Sequence, residues 1–104
     1  MANPMRGEVA IVLDGQPHVA RLTLGALAML EAQLAEDSLA DLVRRLDEGR
    51  FASGDIVAVL VAGLRGGGWQ GDANDLLGQQ IKGGPLAGAR AAAQLIALAF
   101  RDVA

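Results

Sequence analysis

His18 is the only histidine in the chain, and there is no cysteine. A zinc or thiolate site needs several such ligands at close spacing, so His18 has no companions for metal chemistry. As a general base it would need a nucleophile and an orienting acid, and the sequence suggests neither. It reads as a histidine on the rim of a hairpin. Gly66, Gly68 and Gly71 satisfy the G-x-G-x-x-G spacing. A dinucleotide loop requires a strand before that motif and a helix after it. Here the preceding segment reads as a helix, so the glycines read as a connector. Lys82-Gly83-Gly84 lacks the frame of a phosphate-binding loop. Asp72-Ala73-Asn74-Asp75 lacks the spacing of an EF-hand loop and suits a helix cap better. Arg44, Arg45, Arg50 and Arg65 could form a basic patch, but Asp41, Asp47 and Glu48 interleave with the first of them. That mixture reads as a solvated helix face. No catalytic, cofactor-binding or metal-ligating residue is predicted.

What remains is apolar. Trp69 lies alone in a glycine-rich connector, where it either folds back on the core or anchors a partner. Leu95 and Leu98 fall beside the main apolar stripe of the last helix, and a helix outside so small a domain buries one face. Trp69, Leu95 and Leu98 are therefore the predicted partner-binding residues. Gly84, Gly88 and Ala92 recur at every fourth position. In a soluble protein that spacing reads as close packing within the chain.

The elements that position these residues start with a hairpin. The 104 residues make one domain, with 1–6 a loose tail, 7–22 a hairpin and 23–104 helical. Glu8–Leu13 is the first strand. Asp14-Gly15 suits a two-residue turn with φ > 0 at both positions. That turn places Leu13 opposite Gln16, Ile11 opposite His18, Val9 opposite Ala20 and Glu8 opposite Arg21. Val9, Ile11, Ala20 and Leu22 then share the core face, and Glu8 and Arg21 form a charge pair. Pro17 cannot donate, so its strand is an edge there or its pairing starts after it.

Thr23 caps a helix over about 24–35, with Leu24, Leu27, Leu30 and Leu34 at helical spacing. Glu36-Asp37 breaks it. Ser38 caps a second helix over 39–48 whose stripe is Leu39, Leu42, Val43 and Leu46, ended by Gly49. Ser53 or Asp55 caps a third, ending near Arg65. It is apolar on nearly every side and so should be the central helix. Asp72 caps a fourth over 73–82 that buries Leu76, Leu77 and Ile81. The fifth has Pro85 at its first helical position and runs to about Asp102. Its stripe is Ala89, Ala92, Ala93, Ile96, Ala99, Phe100 and Val103. The fold class is thus α+β, mostly α: an N-terminal β-hairpin and about five helices in a small bundle.

Composition narrows the function classes. Hydrophobic residues make up 52% of the chain but aromatics only 3%. The core must be aliphatic. A net charge of −3 offers no field for nucleic acid. The longest apolar run, Ile56–Leu64, is too short to span a bilayer. The N-terminus has no signal core. A cytoplasmic protein follows as the expectation.

The hairpin Gly7–Leu22, the helix start Leu22-Thr-Leu-Gly-Ala-Leu-Ala-Met-Leu-Glu31, the Ser38-Leu39 and Leu42-Val-Arg-Arg-Leu46 pattern, and Asp55–Gly68 resemble the gene transfer agent family of small phage-derived proteins. The resemblance is good over about residues 6–68 and weaker beyond. Members are encoded among tail genes, are grouped with tail assembly chaperones, and are elsewhere described as tail tube proteins. The resemblance implies a non-enzymatic tail morphogenesis protein without cofactor. It would be chaperone-like and bind a tail protein such as the tape measure, or alternatively be a structural tail component that self-assembles in the particle. Partners would be phage-type tail proteins, possibly a second copy, with no nucleic acid, membrane or small-molecule substrate.

Overall fold

A computed structural model describes residues 2–34 and 38–100. Strands β1 (Glu8–Leu13) and β2 (Gln16–Arg21) form a two-stranded antiparallel hairpin. Five α-helices follow among the described residues: α1 (Leu24–Gln33), α2 (Leu39–Asp47), α3 (Ser53–Gly66), α4 (Ala73–Leu77) and α5 (Gly84–Phe100). The architecture is α+β and mostly α, as the residue pattern predicts.

The hairpin turn falls on Asp14-Gly15, whose φ angles of 48° and 79° are both positive. A two-residue turn of this kind matches the right-handed twist of the strands. It sets the predicted register, from Leu13 opposite Gln16 to Glu8 opposite Arg21. In that alternation Pro17 takes a position that donates nothing to β1. The pleat buries Val9, Ile11, Leu13 and Ala20, and Leu22 continues the core face. Glu8 and Arg21 are opposite each other, but the charge pair forms elsewhere. Pro4–Arg6, expected in a loose tail, winds a 3-10 turn. It carries Arg6 Nε to 3.8 Å from Glu8 Oε2. The Glu8 carboxylate also accepts from the Asn3 backbone N–H at 2.9 Å.

α3 is the axis of the bundle. Val59 to Leu64 are buried without interruption. The helix packs on β2, α1, α4 and α5. An apolar helix is stable where its neighbours cover it, and these four cover the stretch from Val59 to Leu64. Asp55 alone caps its start. Its carboxylate accepts the N–H of Ala52 at 2.9 Å, so the N-cap position is Ala52, one residue earlier than the predicted cap. Thr23 Oγ1 accepts from Ala26 N–H at the start of α1. Ser38 and Asp41 form a reciprocal capping box on α2. Its end is a Schellman motif, with Gly49 N–H bonded to Leu46 O and Arg50 N–H to Arg45 O.

Several expectations fail: Leu77, expected buried, is 69% exposed, and Leu24, expected on the apolar stripe of α1, is 85% exposed. α4 stops at Leu77 instead of continuing to 82, because the chain after it pairs with the hairpin. Ile81 forms a β-bridge with Leu13. Asp14 N–H donates to Gln80 O at 2.9 Å, and Lys82 N–H donates to Val12 O at 3.0 Å. Gln80 N–H in turn donates to Asp14 Oδ1 at 2.8 Å. These bonds cover the turn end of β1's outer edge, which a helix through Ile81 would have left open. On α5 the buried stripe is Gly88, Ala92, Leu95 and Ile96, whereas Ala93 is exposed. The helix is rotated from the expected stripe because α3 presents Gly63 to it. A side chain at Gly63 would stand 2.7 Å from Leu95 Cδ1, so Leu95 occupies the space that glycine leaves. Val103 and Asp102 lie outside the described residues.

Candidate functional site

The residues with chemical potential are engaged structurally. His18 is half-buried on β2 opposite Ile11. Asp72 and Asp75 form a capping box on α4, at 3.0 and 2.9 Å. The Asp75 backbone N–H, above all, holds the Asp72 carboxyl below its usual range. Among the described residues, no group of His, Cys, Asp or Glu is placed to hold a metal ion. Arg44 meets Asp41 within α2 at 2.7 Å. Arg45, expected on a solvated face, instead crosses to α3. Its Nη2 and Nε reach Asp55 Oδ1 and Oδ2 at 2.9 and 3.3 Å. That hydrogen-bonded guanidinium lowers the Asp55 carboxyl, burial opposes it, and the Ala52 N–H lowers it further.

The glycines at 66–71 serve packing. A methyl on Gly66 would overlap the Arg21 carbonyl, and one on Gly67 the Val19 carbonyl. The end of α3 therefore rests directly on the backbone of β2. Trp69 folds back. It is half-buried against the core, its N–H bonds Leu64 O at 2.9 Å, and Gly71 lies against its indole. Leu95 is 1% exposed. The expectation of an outward Leu95–Leu98 face fails there, because Leu95 fills the gap above Gly63. Leu98 is half-buried and packs against the same core. The three predicted partner residues thus do not converge on one exposed surface.

The open apolar surface lies elsewhere. A groove of about 760 Å³ runs between α3, α4 and the first turns of α5. Ile56, Val57 and Leu60 form one wall, and Gly84, Pro85, Gly88 and Ala89 the other. Leu76, Leu77 and Ile81 close the third side, with Phe51 at one margin. Ser53, Gln79 and Gln80 complete the lining, and no ionisable side chain takes part, so the groove is uncharged and mostly apolar. Leu77 is 69% exposed and Leu86, beside the groove on α5, 62%. Such a surface offers shape and apolar area to a protein segment. Its only sequence signal is Phe51 and Leu77, two large apolar residues in short elements that cannot cover them.

A family profile described as phage tail tube protein, GTA-gp10, matches residues 6–102. The chain belongs to that family. The match runs from the 3-10 turn before the hairpin past the end of α5, so the weaker C-terminal resemblance is part of the same unit. No curated protein and no solved structure matches the chain. Membership places the protein among phage-type tail proteins, whose contacts are with other tail proteins. No helix among the described residues is long and apolar enough to cross a membrane.

Proposed function

We propose that this protein is a structural, non-enzymatic component of a phage-type tail, built into the particle through contacts with other tail proteins or with copies of itself. The observation that carries the reading is the tail tube family match across residues 6–102. The uncharged apolar groove and the exposed leucines beside it support it, because they suit protein contact. The test is mass spectrometry of purified particles. A structural component is present at a fixed ratio to the other tail proteins. Its absence from particles, with presence in lysates that are assembling them, would overturn the reading.

A second reading is a tail assembly chaperone that holds an apolar segment of a tail protein, such as the tape measure, until polymerisation. The groove favours it, since its apolar lining would shield such a segment. The same particles decide between the two, because a chaperone leaves before the particle is complete.

A further inference from the structure

Residues 78–83 lie between two anchored helices and are held by little themselves. α4 before them is fixed by Leu76, which is 4% exposed, and α5 after them by Gly88, Ala92, Leu95 and Ile96. No residue of the stretch is buried, and Ile81 is its only apolar side chain. Three hydrogen bonds join it to the hairpin. Asp14 N–H donates to Gln80 O, Lys82 N–H to Val12 O, and Gln80 N–H to Asp14 Oδ1. Two of the three involve Asp14, an exposed turn residue. At an exposed site water replaces such bonds at small net cost.

Glycine stands at both ends. Gly78 caps the end of α4, and Gly83 and Gly84 have φ of 89° and 75°. Glycine crosses backbone regions closed to other residues, so both ends can absorb a rotation without moving the helices they join.

The stretch also covers something. Gln79, Gln80 and Ile81 belong to the lining of the groove between α3, α4 and α5. A methyl on Gly88 would stand 3.3 Å from Ile81 Cδ1 and 3.5 Å from Leu60 Cδ1, so Ile81 lies over Gly88 beside Leu60.

We propose that residues 78–83 are a releasable strap, which leaves the hairpin while the bundle stays folded and so opens the groove down to Gly88 and Leu60. Asp14 is the latch, because its carboxylate and its N–H hold both sides of Gln80. The motion belongs to the chain alone and is independent of its role in a tail.

The test is amide exchange of the full chain, read residue by residue by NMR at increasing sub-denaturing urea. Lys82 N–H reports the strap, and the amides of Leu60, Ala62 and Leu64 report the bundle. Lys82 should be protected at least about 100-fold less than those of α3, and its exchange should not depend on urea, because release of the strap exposes little surface. Asp14→Gly removes the carboxylate and tolerates the positive φ. It should speed Lys82 exchange about tenfold, still without urea dependence, while the α3 amides stay at least about 100-fold more protected. The apolar dye 8-anilinonaphthalene-1-sulfonate reads the groove. Its apparent affinity follows the fraction of open strap, so it should rise by the same factor of about ten. Asp14→Asn keeps an acceptor oxygen and suits positive φ, so both readouts should stay within about twofold of wild type. Lys82 exchange with the urea dependence of α3 would mean that the stretch leaves only on global unfolding, and would overturn the proposal. So would unchanged exchange in Asp14→Gly, a dye affinity that does not rise with it, or an Asp14→Asn chain indistinguishable from Asp14→Gly.

Discussion

Gly63 and Leu95 can be tested as a pair, and the outcome bears on the whole α3–α5 interface. A methyl on Gly63 would stand 2.7 Å from Leu95 Cδ1, 3.4 Å from Cδ2 and 3.5 Å from Ala20 Cβ. Leu95→Ala removes three carbons from a site 1% exposed, beside a glycine with no side chain to fill the gap. It should cost about 3–5 kcal/mol. Gly63→Ala alone crowds Leu95, at about 1–3 kcal/mol, while better helix propensity returns about 1 kcal/mol. In the double variant the clash is gone and the new methyl enters the vacated space. At about 24 cal/mol per Å³, a methyl of roughly 27 Å³ recovers about 0.6 kcal/mol. Adding the relieved crowding, the double variant should be destabilised by about 2–3 kcal/mol less than the sum of the singles. Urea unfolding followed by circular dichroism, with equal m-values across the four proteins, gives the comparison. Additivity within about 0.5 kcal/mol would mean that the two residues do not share this space, and the packing of α5 on α3 would be refuted.

Two further perturbations test the architecture. Gly67→Ala places a methyl against the Val19 carbonyl of β2 and should cost about 1–3 kcal/mol, whereas Gly54→Ala, which meets nothing within 4 Å, should be neutral or stabilise by up to about 1 kcal/mol; equal melting temperatures would refute the close seat of α3 on β2. Asp55→Asn breaks the paired contact with Arg45 and should cost about 1–3 kcal/mol at neutral pH. Because the folded carboxyl is held below its ordinary 3.8, its contribution is complete above that value and disappears as pH falls through the lower folded value. The stability gap between wild type and Asp55→Asn should therefore close in acid, and a gap constant from neutral pH into strong acid would show that the carboxylate charge is not its source.

The parts of the fold legible in the sequence are those fixed by neighbouring residues. Asp14-Gly15 specifies its turn because few residues tolerate positive φ, and the turn then sets every pairing in the hairpin. Thr23, Ser38 and Asp72 announce helix starts because their side chains reach backbone N–H groups three residues on. The misjudged parts depend on distant ones. Nothing near Ile81 reveals that it will pair with Leu13, and its helical spacing from Leu77 is compatible with a longer α4. α5 is so rich in alanine that two adjoining stripes are equally plausible locally. The gap at Gly63, on another helix, selects the stripe that contains Leu95.

The same dependence explains why the local pattern points to an outward Leu95–Leu98 face. A leucine beside an alanine stripe is surplus only if the neighbouring helix has no recess for it, and α3 has one. Glycine supplies the close contacts throughout: Gly63 receives Leu95, Gly66 and Gly67 rest on β2, and Gly88 faces Ile81 and Leu60. Packing this close lets a short aliphatic chain bury α3 from Val59 to Leu64. Among the described residues, the large apolar side chains left exposed are Met5, Leu24, Phe51, Leu77 and Leu86.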